Sequence, residues 1–479
     1  MIQLVDKKQN LVVMKFGGSC LQDAKSFEQT TKNINLYIDD NIIIFVASAI
    51  KGITDKLIDF YIRSCEEAPE CENILEDLLI THQSVINDII DENKPEYKNA
   101  MDFLQANIAE LTQLGRVIGL IRPSTDIQDL IVSYGEKLST YIVHQYLKSI
   151  GYKSEFVSSD EIIRTDDNFG NALPILEETE ILVNNRIGPI LESEEDFIVC
   201  VTGFYGSTVD KKITTLGRGG TDLTAAIMAY SFQPKYNCKV IYWKDVNGFL
   251  NADPRITNKA SLLKQISYIE AKELAFFGSK VLHPVCLDVN EKREIPSEIR
   301  PFEAPESPEF TVITKDIQKD DKIIKAITSI QKISMATITS GTMVSLPGTV
   351  SKLFSLLGNN NINIIFISQS SSENNITFGI NYDEAMKVSF LLRNSEFFGK
   401  QWFNIKIDHD ISLIAVVGGG MLHTPGVAGK IFSTLGDNNI NVKAIAQGSS
   451  ELNITIIIER EDCKKAVNVL YDAFINNQQ

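Results

Sequence analysis

The chain has 479 residues, of which 44% are apolar and 23% are charged, so it is long enough for two or three domains that each bury a core. Its formal net charge of -16 argues against nucleic-acid binding, because such proteins neutralise phosphates with clustered lysine and arginine. The sequence has no run of about 18 apolar residues and no leader at its start, which predicts a cytoplasmic protein with no membrane partner. The seven cysteines and five histidines lack metal-ligand spacing, so no metal ligand is predicted among them.

The first predicted element is the buried strand Leu11–Met14, which is followed directly by Lys15-Phe16-Gly17-Gly18-Ser19. The two glycines let the backbone pass close to a bulky group, and amides beside an ammonium suit a phosphate. An ordinary strand end followed by a turn is the alternative for this segment taken alone. The segment is therefore a candidate phosphate site that the rest of the chain has to support.

Short apolar runs alternate with helical patterns as far as about residue 290. Further strands are predicted at 42–47, 197–202 and 239–243, and helices at 221–231 and 268–277. This alternation predicts an α/β fold with a largely parallel sheet covered on both faces, whose ligands lie at the carboxyl ends of the strands. Residues 55–125 are mostly helical in pattern and are predicted to form an insertion.

Two segments after predicted strands or turns carry candidate substrate groups. The stretch from Ala47 to Thr54 follows a strand and contains small residues and hydroxyls, among them Ser48. The segment Ser133-Tyr134-Gly135-Glu136 places a carboxylate just after a glycine and before a helical run. An acidic residue in the first turn of an ordinary helix is the alternative for Glu136.

The segment from Gly217 to Ala226 is the strongest single motif. Its three glycines leave amides free, and the forked cation of Arg218 suits a carboxylate or a phosphate. Thr221 or Asp222 is predicted to begin a helix whose amino end favours anions. The alternative is an ordinary capped helix after a flexible loop.

Charged residues further along the chain could meet a nucleotide. The candidates are Lys244, Asp245, Asp253, Arg255 and Lys280. His283 precedes Pro284 and is predicted to be structural rather than catalytic.

A proline-rich stretch predicts a domain boundary near residue 315, and an internal repeat follows it. Pro347 to Ile380 aligns without a gap on Pro425 to Ile458, with about 20 identical positions. Each copy has a Pro-Gly turn, an amphipathic helix, a Gly-Asn-Asn or Gly-Asp-Asn cap and two strands, which is typical of ferredoxin-like modules. The predicted domains are 1–315, 316–400 and 401–479. A role in dimerisation alone is the alternative for the repeat.

In this order, the segments resemble those of aspartate kinases in the amino-acid kinase family. The repeats resemble a pair of ACT domains, most like those of bifunctional aspartate kinase/homoserine dehydrogenases. Cys20, Lys244 and Leu250 stand where serine, threonine and tyrosine are usual in this resemblance. The resemblance covers nearly the whole chain.

The resemblance implies phosphoryl transfer from ATP, with Mg²⁺ as part of this cosubstrate, to the side-chain carboxylate of L-aspartate, with no prosthetic group. A carboxylate with a pKa of about 3.9 is already ionised, so cations and amides rather than a general base would promote the reaction. This step opens the biosynthesis of lysine, threonine and methionine. The alternatives are a related kinase acting on glutamate, acetylglutamate or UMP, and an amino-acid sensor whose kinase domain has decayed.

The resemblance also implies a role for each site residue. Lys15 would stabilise the transferred group beside Gly17, Gly18 and Ser19, while Arg218 would bind the α-carboxylate of aspartate, Glu136 its ammonium, and Ser48 and Thr54 would line that pocket. Asp222 would order the metal and phosphates, and Lys244, Asp245, Asp253, Arg255 and Lys280 would hold the nucleotide.

The repeats imply control by an effector amino acid. Threonine is predicted to contact Gln369 and Gln447 together with Asn361, Asn363, Asn439 and Asn441. Lysine is the alternative effector, and a purely structural role of both glutamines is the other possibility. Paired modules of this kind imply a homodimer or a higher homo-oligomer.

Overall fold

The computed structural model describes residues 9–66, 71–120, 123–193, 197–277, 281–315, 322–341, 347–369, 374–400 and 402–476. The chain forms two compact units. The first unit contains Met1–Gly248, Lys264–Lys272 and Lys280–Ile317, and the second contains Phe249–Leu263, Glu273–Ser279 and Gln318–Gln479. None of the helices within the described ranges combines the length and the apolar character that a bilayer crossing requires.

The first unit is built on an eight-stranded sheet with the strand order β3-β4-β2-β1-β7-β9-β10-β8. The strands are β1 (Asn10–Phe16), β2 (Ile42–Ala47), β3 (Lys153–Val157), β4 (Phe197–Thr202), β7 (Asn237–Lys244), β8 (Gln265–Ile266), β9 (Ser297–Pro301) and β10 (Thr311–Ile313), and a separate hairpin pairs β5 (Tyr205–Ser207) with β6 (Ile213–Thr215). Every pairing within the sheet is parallel except that of β9 with β10. The predicted largely parallel α/β fold is therefore confirmed.

Nine helices of the described chain accompany this sheet. They are α1 (Ala24–Asn35), α2 (Ile53–Cys65), α3 (Cys71–Ile89), α4 (Pro95–Ile118), α5 (Thr125–Ser149), α6 (Leu176–Leu191), α7 (Gly220–Phe232), α8 (Tyr268–Phe276) and α9 (Pro284–Lys292), of which α8 begins in the first unit and ends in the second. Helices α2, α3 and α4 occupy most of the range predicted as a helical insertion.

Alternating side chains of β1 and β7 face the two sides of the sheet. On one side Phe16 stacks on Phe45 with ring centroids 4.6 Å apart and on Trp243 at 6.1 Å. On the other side Lys15 and Lys244 point toward α7, since both ammonium groups contact Asp222 of that helix. The aromatic side buries a core, and the lysine side forms the site described below.

The second unit contains a six-stranded antiparallel sheet with the strand order β12-β13-β11-β14-β16-β15. The first repeat comprises β11 (Ala326–Thr339), α10 (Thr349–Gly358), β12 (Phe366–Gln369), β13 (Asn375–Asn381) and α11 (Ala385–Asn394), and the second comprises β14 (Asn404–Val417), α12 (Val427–Asp437), β15 (Val442–Gln447), β16 (Asn453–Glu459) and α13 (Cys463–Phe474). The two copies join along β11 and β14. Both have the strand-helix-strand-strand order that the repeat predicts.

The caps of the repeat helices match as closely as their sequences do. Gly348 and Gly426 have φ values of 83° and 88°, and Asn361 and Asn439 have values of 56° and 55°. Glycine and asparagine tolerate this left-handed region better than other residues, so the Pro-Gly and Asn-rich turns dictate the local path.

The segment Phe249–Leu263 belongs to the second unit, although the sequence assigns it to the stretch before the boundary at residue 315. Ala252 and Ile256 share a core with Ile454 and Ile456 of the second repeat. The hydroxyl of Tyr471 donates to the carbonyl of Lys259 at 2.6 Å. Tertiary packing therefore groups this segment with the second repeat, while the boundaries at 315 and 400 stay predictions.

Candidate active site

A cluster of one carboxylate and two ammonium groups lies at the carboxyl ends of β1 and β7, with Lys15 and Asp222 buried and Lys244 half-buried. Lys15 Nζ is 2.8 Å from Asp222 Oδ1, and Lys244 Nζ is 2.9 Å from Asp222 Oδ2. The register of β1 on β7 places Lys15 opposite Tyr242, so the two lysines come from adjacent strands. Asp222 lies in the first turn of α7. The topology thus assembles three residues that are far apart in the chain.

The charges of this cluster act on each other's protonation. Burial alone would raise the pKa of Asp222, but the two nearby ammonium groups bring it below its usual value. Burial lowers the pKa of Lys15, and Asp222 opposes that effect only in part. Burial also acts to lower the pKa of Lys244, but attraction to Asp222 outweighs it and raises this pKa. With all three groups ionised the cluster has a net positive charge, which suits an anion.

The glycine loop before α7 has a fixed shape. Gly217 and Gly219 adopt φ values of 68° and 77°, and a Cβ at Gly219 would lie 2.3 Å from the Cβ of His283. Arg218, between the glycines, is exposed. Burial lowers the pKa of His283, Asp222 opposes this effect, and Arg218 adds to it. His283, which the sequence predicts to be structural, therefore packs on the loop that carries Arg218.

Glu136 lies in the middle of α5, so the alternative that placed it in the first turn of a helix is wrong. The residue is 2% exposed, its carboxylate accepts the backbone N–H of Ala49, and within the described structure its Oε2 has no hydrogen-bond partner. Burial raises the pKa of Glu136 to about 8, although the positive charge of Lys15 opposes the rise. A buried carboxylate with one unpaired oxygen is suited to receive a cation.

Close backbone contacts hold the loops after β1 and β2 against α5 and α7. A Cβ at Gly18 would lie 2.5 Å from the carbonyl oxygen of Ala49, and one at Gly135 would lie 2.9 Å from the Ala49 side chain. The hydroxyls of Ser48 and Thr221 are 3.3 Å apart. Gly18, which the sequence associates with phosphate, therefore also serves this packing, as does Gly135.

Several predicted residues of the first unit lie together. The contacts above join Lys15, Gly18, Ser48, Asp222 and Lys244. A Cβ at Gly17 would lie 3.7 Å from Lys15 Nζ, and Glu136 is close enough for the Lys15 charge to affect its pKa. Ser19, Asp245 and Arg218 are exposed in that unit, and Thr54 is half-buried in the first turn of α2.

Three nucleotide candidates remain. Asp253 and Arg255 belong to the second unit, where Arg255 Nη2 donates to Asp253 Oδ2 at 2.7 Å. Lys280 lies outside the described residues. Across the parts of the chain that the structure describes, no cluster of three or more histidine, cysteine or acidic side chains could hold a metal ion.

The predicted effector residues occupy matching places in the two repeats. Gln369 ends β12 and Gln447 ends β15, and both side chains are exposed. The asparagines of the two turns, Asn361, Asn363, Asn439 and Asn441, are exposed as well. All six are accessible to a small molecule.

Two family models match the chain. The amino acid kinase family matches residues 10–301, and an ACT domain matches residues 337–393 and 414–474. A bifunctional aspartokinase/homoserine dehydrogenase 1 of Arabidopsis thaliana is 30% identical over 98% of this chain and 51% of its own length. A bifunctional aspartokinase/homoserine dehydrogenase of Buchnera aphidicola is also 30% identical, over 98% of this chain and 57% of its own. The chain thus spans about half the length of these curated relatives.

Solved structures have the same fold. An aspartate kinase structure from Clostridium acetobutylicum aligns with a TM-score of 0.76 and 25% sequence identity. The alignment covers 97% of this chain and 100% of the Clostridium chain. The E. coli aspartokinase III in complex with aspartate and ADP has a TM-score of 0.78 and 24% identity over 97% of this chain and 99% of its own. Since the kinase family model covers more than half of its residues, the chain belongs to the amino acid kinase family, with two ACT domains after the kinase fold.

Proposed function

We propose that this protein is an aspartate kinase, which transfers the γ-phosphoryl group of ATP to the side-chain carboxylate of L-aspartate and yields 4-phospho-L-aspartate and ADP. The 30% identity to aspartokinase/homoserine dehydrogenases over nearly the whole chain supports this activity, as does the likeness to an aspartate kinase structure. The reaction would be the first step of lysine, threonine and methionine biosynthesis. The catalytic domain would comprise residues 1–315, and the ACT domains 316–400 and 401–479.

The observation that carries the proposal is the positive cluster of Lys15, Asp222 and Lys244. The acceptor is an anion that must approach a polyanion, so charge repulsion is the main obstacle. Ammonium groups fixed in a water-poor site reduce this repulsion without having to reorganise during the reaction. Lys15 would stabilise the transferred phosphoryl group beside the amides of Gly17 and Gly18, and Asp222 would hold both ammonium groups in place.

Mg²⁺ would arrive as part of the nucleotide substrate. Both oxygens of Asp222 already contact lysine ammonium groups, so this carboxylate offers little free ligand capacity. Magnesium in phosphoryl-transfer sites is bound largely by phosphate oxygens and water. In the first unit the nucleotide would be held by Lys244 and Asp245, with Ser19 near the phosphates, while the roles of Asp253, Arg255 and Lys280 stay predictions from the resemblance.

The acceptor would be recognised through its two backbone charges. The unpaired oxygen of Glu136 fits the ammonium of aspartate, and the exposed guanidinium of Arg218 fits its α-carboxylate. Ser48 and Thr54 would line the same pocket. A site with these two charges prefers an α-amino acid to a nucleotide acceptor such as UMP.

The direct test is a hydroxylamine-trapping assay with Mg-ATP and L-aspartate, since acyl phosphates form hydroxamates. We expect hydroxamate from the wild type and from Lys25→Met, which changes an exposed lysine of α1. Lys15→Met should lower kcat by about a thousandfold. Wild-type protein without hydroxamate would refute the proposal and favour another acceptor or a sensor, and full activity of Lys15→Met would refute the role of Lys15.

For regulation, we propose that threonine binds the ACT domains through Gln369 and Gln447 and the asparagine turns, with lysine as the second candidate. The exposed and matching positions of the glutamines support two related sites. Effector binding would favour one of two arrangements of the protein, and the ACT domains would form a homodimer or a higher oligomer. Calorimetry with threonine and with lysine, on wild type and on Gln447→Ala, distinguishes the effectors, and the absence of heat with either would refute the proposal.

A further inference from the structure

Asp129 of α5 is a buried carboxylate outside the groups described above, and it binds two separate parts of the chain. The residue is 3% exposed. Oδ2 accepts the backbone N–H groups of Gly170 and Thr215, each at 2.8 Å, and Oδ1 accepts the hydroxyl of Thr215 at 2.8 Å. Three donors therefore converge on one carboxylate.

These hydrogen bonds fix the base of the loop that carries Arg218. Thr215 ends β6, and Gly217 follows two residues later. The loop around Gly170 packs on Gly217, where a Cβ would lie 2.3 Å from Asn171 Oδ1. The loop around Gly170 and the end of β6 are also joined directly, because Ala172 N donates to the carbonyl of Thr215 at 2.9 Å. Asp129 thus binds both the loop around Gly170 and the end of β6, which lie on either side of the turn that leads into Arg218.

The same helix carries Glu136. Asp129 and Glu136 are seven residues apart in α5, which is close to two full turns, so they lie on one face of the helix about 10 Å apart along its axis. A helix is rigid over two turns. Its length between these residues therefore sets the separation between the Glu136 carboxylate and the base of the Arg218 loop.

We propose that Asp129 is a positioning residue for acceptor recognition, which holds the Arg218 loop at a fixed distance from Glu136 and so matches the site to the two backbone charges of an α-amino acid. This inference rests on the proposed function, in which Arg218 and Glu136 bind those charges. Asp129 touches neither substrate and acts only through the loop.

Substitutions of Asp129 separate this role from a general structural one. In Asp129→Asn the amide oxygen can accept both backbone N–H groups while the NH₂ donates to Thr215 Oγ1, so the loop should stay in place. In Asp129→Ala all three hydrogen bonds are lost. Ser154→Ala is the matched control, because it removes the buried contact of Ser154 Oγ with His144 Nδ1 on the same helix, at 3.0 Å, without touching the loop.

The experiment measures kcat and KM for L-aspartate, for its α-amide, which lacks the α-carboxylate, and for ATP, with melting curves for every variant. For Asp129→Ala we expect the KM for L-aspartate to rise by about tenfold or more, because small displacements of a binding group are costly. The KM for ATP should change less than about twofold, and the preference for aspartate over its α-amide should fall about tenfold. Asp129→Asn and Ser154→Ala should keep the wild-type preference.

An unchanged preference in folded Asp129→Ala would overturn the inference, even if kcat fell. If Asp129→Ala does not fold, Thr215→Val removes one of the three hydrogen bonds and should lower the preference about threefold. An unchanged preference in that variant would overturn the inference. Wild-type protein that phosphorylates neither compound would instead refute the proposed function, and the positioning role would fail with it.

Discussion

The first turn of α7 and the middle of α5 each bury one carboxylate, and the two carboxylates are in opposite states. Asp222 is 5% exposed and contacts two ammonium groups, which keep its pKa low. Glu136 is 2% exposed and has an unpaired oxygen within the described structure, and burial raises its pKa to about 8. The difference indicates that Asp222 is already paired inside the folded chain, whereas Glu136 is arranged for a cation that the described residues do not supply.

Asp222→Asn should have the largest effect, since it leaves one buried and one half-buried ammonium group without their counter-charge. We expect kcat to fall by about a thousandfold and the free energy of unfolding to fall by about 3–5 kcal/mol. Urea unfolding and steady-state kinetics measure the two effects. The double variant Asp222→Asn with Lys244→Met should recover part of the stability but not the activity.

The control for this variant is Asp126→Asn, which breaks the more exposed pair with Lys212 at 3.0 Å. Such pairs contribute about 1 kcal/mol or less, so stability and activity should change little. If Asp222→Asn is no less stable than this control, Asp222 is not the fixed counter-charge that the contrast with Glu136 requires.

Glu136→Gln should have the next largest effect and should act mainly on aspartate. Loss of the negative charge should raise the KM for L-aspartate by about a hundredfold while the KM for ATP stays within about twofold.

The same substitution should raise the free energy of unfolding at high pH, although it weakens aspartate binding. The raised pKa of Glu136 means that its contribution to stability is fully present below about pH 4.5 and is lost as pH rises through about 8.

Glu136→Gln cannot ionise, so it should unfold at a higher urea concentration than the wild type at pH 9, and the difference should be small at pH 4.5. Unfolding curves at the two pH values measure this crossover. A variant that is less stable than the wild type at pH 9 would mean that Glu136 is already paired with a cation.

The pH dependence of the wild type should show a smaller effect of the same origin. Aspartate binding needs ionised Glu136, so the KM for L-aspartate should fall as pH rises from about 6.5 to 8.5, by up to tenfold per pH unit below the pKa of about 8. The KM for ATP serves as the internal control and should stay flat. A KM for aspartate that is flat in the wild type would contradict the raised pKa.

Four of the eight strands of the sheet, β1, β2, β4 and β7, could be predicted from the sequence because their signals are local, whereas β3, β8, β9 and β10 are not among the predicted strands. The strand predicted at 42–47 is observed at Ile42–Ala47. The strand predicted at 239–243 is slightly longer in the structure, at Asn237–Lys244. Apolar runs followed by glycine segments suffice for such predictions. The lysine cluster is different, because only the pairing of β1 with β7 brings Lys15 and Lys244 together.

The position of Glu136 within a helix could not be predicted, because the reason for a glycine at position 135 is a contact with a residue that is distant in the sequence. Glycine is unfavourable inside a helix, so the sequence suggests that a helix begins after it. In the structure, Gly135 lies well inside α5. A larger residue would not fit there, because a Cβ would come within 2.9 Å of the Ala49 side chain. Likewise, nothing local in Phe249–Leu263 indicates that Ala252 and Ile256 pack with the second repeat.

The smallest predicted effect concerns the packing that keeps Glu136 in place. The hydroxyl of Ser139 donates to the carbonyl of Ser48 at 2.7 Å and so joins α5 to the loop after β2. Ser139→Ala should raise the KM for L-aspartate about two- to fivefold, because one hydrogen bond contributes about 1 kcal/mol. The control is Ser149→Ala, whose hydroxyl donates within the same helix to the Tyr146 carbonyl at 2.7 Å. Equal KM values for the two variants would mean that the unpaired state of Glu136 depends on its own burial rather than on the anchoring of α5 to that loop.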